Sequence, residues 1–101
     1  MPSKRKICET MAEVRAEIDA LDRAIVALLA DRLHYIDEAA RLKQSRDQVR
    51  DEARIEDVLG KVRAVAQGSD IDAKVVATTY RALIEACIAH ELDAFDRRLS
   101  R

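Results

Sequence analysis

The feature that most constrains this chain is a long stretch, from about Thr10 to about Arg46, that contains neither proline nor glycine. Apolar side chains recur along it at steps of three and four residues, which places them on one face of a helix. The members of this face, here called the apolar seam, are Val14, Ile18, Leu21, Ile25, Leu28, Arg32, Tyr35, Ala39 and Leu42. The helix would be about 55 Å long, which exceeds the diameter of a compact domain of this size. We therefore expect a second copy of the chain to cover the seam, in a homodimer with the long helices side by side.

The rest of the sequence predicts two shorter helices. They run from about Asp51 to about Ala66 and from about Ile71 to about Arg97, after polar joints at 45–48 and 67–70. Thr10 and Glu13 have the spacing of a capping box, and Ser69 or Asp70 is expected to cap the last helix. The predicted fold is all-α, with three helices of which one is very long. We expect one helical domain over residues 10–98, preceded by a flexible basic tail at 1–9 and ending in a frayed segment at 96–101.

Composition and charge exclude several classes of function. The formal net charge of −1 gives no general attraction to nucleic acid or to an anionic membrane. No apolar run is long enough for a signal peptide or a membrane span, so a cytoplasmic location is predicted. The two cysteines have neither zinc-site nor disulfide-framework spacing. No metal and no cofactor are expected.

A few charged residues fall on faces that should point inward. Arg32 interrupts the seam, and Lys43 lies eleven residues further on, close to the same face. A cation on a core-facing position needs a carboxylate partner or an anionic ligand. The full set is Arg15, Arg32, Lys43, Arg54 and Glu91. Because this set contains no nucleophile, phosphate loop or metal cluster, any chemistry would rely on placed charge, with a small dianionic substrate.

Other interpretations stay open at this point. Arg32 could form a structural ion pair with Glu56 or Glu85. Lys43 could be a surface lysine, and Glu91 would be exposed if the last helix were rotated by one position. The chain could then be a dimeric helical interaction module rather than an enzyme. The two histidines, His34 and His90, are expected to be surface residues without partners.

Three segments resemble the all-α chorismate mutase family. Residues 14–22 (VRAEIDALD) resemble the family's opening motif, and residues 30–33 (ADRL) followed by Lys43 resemble its second arginine and its lysine. Residues 49–51 (VRD) with Arg54 resemble the start of its second helix. The resemblance covers about residues 11–95.

The resemblance implies an intertwined homodimer that converts chorismate to prephenate without a covalent intermediate. Each site would take one residue, Arg15, from one chain and the rest from the other. Those others are Arg32, Lys43, Asp51, Arg54, Ile55, Cys87 and Glu91. Along one helix Arg15 and Arg32 would be about 25 Å apart, too far to hold one small molecule, whereas antiparallel pairing brings them together. The two arginines would hold the carboxylates, and Lys43 would stabilise the charge that develops on the ether oxygen.

Three positions depart from the family pattern. Ile55 stands where a glutamate usually binds the ring hydroxyl, which resembles isochorismate-pyruvate lyases and 4-amino-4-deoxychorismate mutases. Glu91 replaces a common glutamine and could donate to the ether oxygen only when protonated, which predicts activity that rises as pH falls. An ionised Glu91 would instead favour a substrate with an amine. Cys87 replaces a serine and is a weaker donor.

The predicted function is therefore that of a chorismate mutase, an isomerase of aromatic amino acid biosynthesis. The alternatives are an isochorismate-pyruvate lyase, which would serve salicylate biosynthesis, and a 4-amino-4-deoxychorismate mutase. Among the site residues named above, the predicted catalytic residues are Arg32, Lys43 and Glu91.

Overall fold

The computed structural model describes residues 5–100 and is all-helical. Helix α1 spans Met11–Leu42, α2 spans Glu52–Gln67 and α3 spans Ala73–Leu99, with a short 3₁₀ turn at Arg46–Gln48 between α1 and α2. The described residues contain no strand. The prediction of an all-α fold with three helices, one of them very long, is confirmed. Of the predicted tail at 1–9, residues 1–4 lie outside the described residues, and residues 5–8 have no regular secondary structure.

The start of α1 differs slightly from the predicted capping box. The Glu13 N–H donates to Oγ1 of Thr10 at 3.2 Å, which is the first half of the box. The second half is displaced by one residue, because the Glu13 carboxylate accepts from the N–H of Glu9 at 3.1 Å. The helix accordingly begins at Met11.

The end of α1 lies at Leu42, four residues before the predicted end, although no proline or glycine stops it there. The side-chain oxygen of Gln48 accepts from the N–H groups of Gln44 at 2.8 Å and Ser45 at 3.3 Å. These N–H groups would otherwise bond to carbonyls one turn earlier and continue the helix. Lys43 is therefore the first residue after α1 rather than a residue within it.

The caps of α2 and α3 are aspartates. Asp51 precedes α2 and its carboxylate accepts from the N–H of Arg54 at 3.0 Å. Asp72 precedes α3 and accepts from the N–H of Lys74 at 2.9 Å, so the predicted cap at Ser69 or Asp70 was wrong. At its other end α3 extends to Leu99, two residues beyond the predicted end at about Arg97.

The chain divides into two units between Arg32 and Leu33, and each is described by itself. The second unit, residues 33–101, holds a core in which buried Ala40, Val49 and Phe95 pack with the half-buried residues Ile88, Leu92 and Ala94. Ala40 is 3% exposed, whereas Tyr35 and Leu42 of the predicted seam are 70% and 67% exposed. Within the single chain, the face of the last turns of α1 that packs on this core therefore lies one residue round from the seam, and burial of Tyr35 and Leu42 by a second chain stays a prediction.

The first unit, residues 1–32, presents the earlier part of the seam. Four of its apolar residues are exposed in the single chain, Ile18, Leu21, Ile25 and Leu28, while Val14 is half-buried. An apolar stripe of this kind is the pattern of a helix that packs against another element. None of the helices in residues 5–100 contains a stretch that is long and apolar enough to cross a membrane.

Candidate active site

The most distinctive polar contact of the second unit joins Lys43 to Glu91. The Lys43 ammonium donates to Oε2 of Glu91 at 2.6 Å. Glu91 is only 4% exposed, and the Lys43 side chain is 28% exposed. Glu91 is the one charged residue among the buried residues of the described chain. The structure therefore brings two of the predicted catalytic residues together at the end of α1.

Glu91 lies on the inner face of α3. Cys87 precedes it by four residues, so the two side chains lie one turn apart on the same face, and both are buried. The inward orientation that the sequence left open for Glu91 is the one that the structure adopts. The family-like positions Lys43, Cys87 and Glu91 thus belong to one region of the second unit.

The predicted residues at the start of α2 have local partners. Asp51 uses its carboxylate to cap the helix. Arg54 is exposed and donates to Oδ2 of Asp57 at 2.5 Å, while Ile55 is half-buried. Hydrogen bonds from Lys61 and Arg54 hold the pKa of Asp57 below its ordinary value.

The two predicted arginines of α1 lie in the first unit. Arg15 is exposed and Arg32 is half-buried. The exposure of Arg15 is compatible with a residue that acts on another chain.

Comparison with known families gives a match over most of the chain. Residues 14–92 match the model of the family described as chorismate mutase type II. This range contains every predicted site residue. The chain belongs to the chorismate mutase type II family. No curated protein matches the chain significantly. Membership of the family supports chorismate mutase activity and, with it, an enzyme of the isomerase class.

One ion pair of this chorismate mutase family member was missed by sequence reasoning. The Arg50 guanidinium donates to both carboxylate oxygens of Glu85, at 3.0 and 2.8 Å, and its Nε donates to Glu52 at 2.7 Å. The bond from Arg50 lowers the pKa of Glu85, and the bonds to Glu85 and Glu52 raise the pKa of Arg50. Arg50 directly precedes Asp51, the cap of α2, so its bonds to Glu85 link the start of α2 to α3. Nothing in the spacing of 35 residues between Arg50 and Glu85 indicates this pair.

A histidine contact was also missed. The His90 Nε2 atom lies 2.7 Å from Oδ1 of Asp37, so the prediction that His90 has no partner was wrong. The pair links α1 to α3 within the second unit, one residue before Glu91. The other histidine, His34, is exposed as predicted and contacts the ring of Tyr35 edge-on.

Two further features bear on ligands. Within residues 5–100 no group of three or more His, Cys, Asp or Glu side chains is arranged to hold a metal ion. A shallow depression of about 240 Å³ lies between α2 and α3, away from the predicted site residues. Its lining residues are Leu59, Val62, Arg63, Ala73, Lys74, Val76, Ala77 and Arg81.

Proposed function

We propose that this protein is a chorismate mutase that rearranges chorismate to prephenate by charge and shape, without a covalent intermediate. The observation that carries the proposal is the family match over residues 14–92, which includes the complete set of predicted site residues. The pairing of Lys43 with Glu91 supports it, because an ammonium held beside a mostly buried carboxylate has a restricted position. A restricted cation can stabilise developing charge with little reorganisation.

The proposed site is completed by a second copy of the chain. Arg15 of that copy and Arg32 would bind the two carboxylates of the substrate and hold its reactive conformer. Lys43 would donate to the ether oxygen as the C–O bond breaks. Support for a dimer comes from the exposed apolar residues of the first unit, since burying the exposed part of each such side chain is worth about 1–2 kcal/mol.

The contact between Lys43 and Glu91 favours a second candidate substrate. Oε2 of Glu91 accepts from the Lys43 ammonium at 2.6 Å, and an oxygen used as an acceptor does not donate to the ether oxygen. It could instead bind an amine of the substrate, as in 4-amino-4-deoxychorismate. The half-buried Ile55 offers no ligand to a ring hydroxyl, which is compatible with that substrate and with isochorismate.

The test is turnover of chorismate, isochorismate and 4-amino-4-deoxychorismate by the same purified protein. The proposal expects prephenate from chorismate as the fastest reaction. Faster rearrangement of the amino analogue would assign the second candidate, and efficient release of salicylate and pyruvate from isochorismate would assign a lyase. If none of the three reacts, the proposal is wrong.

A matched pair of lysine variants shows which residue the turnover depends on. Lys43→Ala should remove the reaction, whereas Lys61→Ala should retain it, because Lys61 is an exposed lysine of α2 that bonds to Asp57. Equal loss in both variants would show that the turnover does not depend on the proposed site.

A further inference from the structure

Arg98, near the end of α3, binds the end of α1. Its guanidinium donates to the carbonyl oxygen of Lys43 at 2.9 Å and also to the carbonyl oxygen of Arg41. The last carbonyls of a helix have no partner within the helix, and a cation near them is favourable. The N–H of Ser45, which would bond to Arg41 if α1 continued, bonds to Gln48 instead. Arg98 therefore binds carbonyls that the early end of α1 leaves available.

The side chain of Arg98 is itself held in place. Its guanidinium carbon lies 4.6 Å from the centre of the Phe95 ring, which is a cation–π arrangement. Phe95 belongs to the core with Ala40 and Val49. Because the ring beneath the guanidinium is fixed by the core, the direction of the Arg98 donors is fixed as well.

Two residues of α3 bind Lys43 from one face, and Phe95 lies between them on that face. Glu91, Phe95 and Arg98 follow each other at steps of four and three, so they lie in one row along the helix. Glu91 binds the ammonium of Lys43, and Arg98 binds its carbonyl oxygen. The N–H of Lys43 donates to Ala39 at 3.0 Å. The side-chain ammonium and the backbone carbonyl oxygen of Lys43 are thus both bound by α3.

We propose that Arg98 is a positioning residue, which holds the backbone of Lys43 so that its ammonium is presented at a fixed place in the active site. The inference rests on the proposed role of Lys43 in catalysis. The bonds of Arg98 go to the backbone carbonyls of Arg41 and Lys43, so it would act through Lys43. A lysine at this position could not reproduce this pair of bonds from two nitrogens above the Phe95 ring, since it lacks the planar fork of an arginine.

The test compares Arg98→Gln with Arg97→Gln. Arg97 is the exposed neighbour of Arg98, so its replacement removes the same charge from the same turn. We expect Arg98→Gln to lower kcat for chorismate by between about tenfold and a hundredfold, with KM changed less than about twofold, because a misplaced ammonium weakens mainly the transition state. Arg97→Gln should resemble the wild type. An unchanged kcat in folded Arg98→Gln, or an equal fall in both variants, would overturn the proposal.

A second readout does not depend on turnover. Acetic anhydride labels free amines, and mass spectrometry gives the labelling rate of each lysine. Release of the Lys43 backbone should raise the labelling rate of Lys43 several-fold in Arg98→Gln, with Lys61 as the internal control. If the wild type turned over no chorismate, the proposed function would fail, but this labelling would still decide whether Arg98 holds Lys43. Equal Lys43 labelling in the variant and the wild type would overturn the positioning role.

A conservative variant covers the case in which Arg98→Gln does not fold. Arg98→Lys keeps the charge near the end of α1 but loses the paired bonds. It should fold and give values of kcat and Lys43 labelling between those of the wild type and those expected for Arg98→Gln. Wild-type values in a folded Arg98→Lys would show that charge alone suffices and would overturn the proposed role of the two bonds.

Discussion

The two units of this chain differ in where their apolar residues lie. In the first unit no residue between 5 and 32 is buried, and the seam residues Ile18, Leu21, Ile25 and Leu28 are exposed. In the second unit the apolar residues form a core around Phe95, and a charged pair lies beside it. The second unit therefore has a buried core of its own, whereas the first unit has only an exposed apolar face.

This difference assigns different tasks to the two units. The second unit can hold Lys43 and Glu91 in place with its own residues, because α3 packs against the end of α1. The first unit can bury its seam only against something else, and we propose that this is a second copy of the chain. On this proposal the second unit supplies Lys43 and Glu91, and the first supplies the assembly and the two arginines, Arg15 and Arg32. The predictions below test this division, in order of decreasing expected effect.

The largest effect concerns Arg15 and Lys43 together. Arg15→Ala and Lys43→Ala should each lower kcat/KM for chorismate by about a hundredfold or more. Unfolded and refolded as a mixture, the two variants should recover about a quarter of wild-type activity, because half the dimers are mixed and each mixed dimer has one intact site. The measurement is the initial rate of prephenate formation at equal total protein.

The control for this mixing is Arg23→Ala, which removes an exposed arginine from the side of α1 opposite the seam. It should be as active as the wild type by itself. Mixed variants that recover no activity would contradict the donation of Arg15 between chains.

The next effect concerns assembly. Ile25→Asp places a charge in the exposed seam and should convert a dimer to monomers, with loss of most of the activity, because a buried unpaired charge is costly. Ala27→Asp adds the same charge on the opposite side of α1 and should leave the dimer intact. Sedimentation velocity over a range of concentrations measures both. A monomeric wild type, or an Ile25→Asp dimer as stable as the wild type, would contradict the proposed task of the first unit.

A smaller, several-fold effect is expected at Glu91. If Glu91 must be protonated to donate to the ether oxygen, wild-type turnover of chorismate should rise as pH falls. Glu91→Gln donates at any pH, so it should be more active than the wild type at neutral pH and should show a flatter pH profile. With 4-amino-4-deoxychorismate the same substitution should lower turnover. A flat wild-type profile, with no gain in Glu91→Gln for chorismate and no loss for the amino analogue, would contradict both roles.

The smallest effect concerns the exposed pair of Arg50 and Glu85 in the second unit. Arg50 lowers the pKa of Glu85 below its ordinary value of 4.5. The stabilisation from this pair should therefore be complete above pH 4.5 and should disappear as pH falls through the lower pKa of the folded state. Thermal unfolding of Glu85→Gln should show a slightly lower Tm than the wild type at neutral pH, and the difference should vanish in acid.

Glu56→Gln is the matched control for that experiment, because Glu56 is an exposed glutamate of α2. Its Tm should follow that of the wild type at every pH. A difference between Glu85→Gln and the wild type that persisted at low pH would show that the pair acts through packing rather than charge.

Periodicity predicted the elements well because it reports which face of a helix is apolar. The all-α fold, the three helices and the inward position of Glu91 follow from that pattern. Periodicity failed where a side chain from a distant part of the chain, or a side chain competing for backbone groups, decides the structure. Gln48 ends α1 by binding two N–H groups, and no helix-breaking residue marks that place.

The site was predicted in part for a similar reason. The resemblance named Lys43 and Glu91, and the structure places them in contact. Neither spacing nor resemblance indicated Arg98, because its role depends on carbonyl groups, which every residue has. Arg15 and Arg32 lie in the first unit, and their joint action on one substrate stays a prediction, as do the dimer and the cytoplasmic location.

The row of Glu91, Phe95 and Arg98 has a consequence for the order in which the protein is made. Lys43 and Arg98 are 55 residues apart in the chain. At a synthesis rate of about 5–20 residues per second, about three to eleven seconds pass between their addition on the ribosome. Glu91 is added 48 residues after Lys43, and until then Lys43 has neither of its α3 partners. A nascent chain that already has all of α1 and α2 therefore still lacks the groups that hold Lys43 in place.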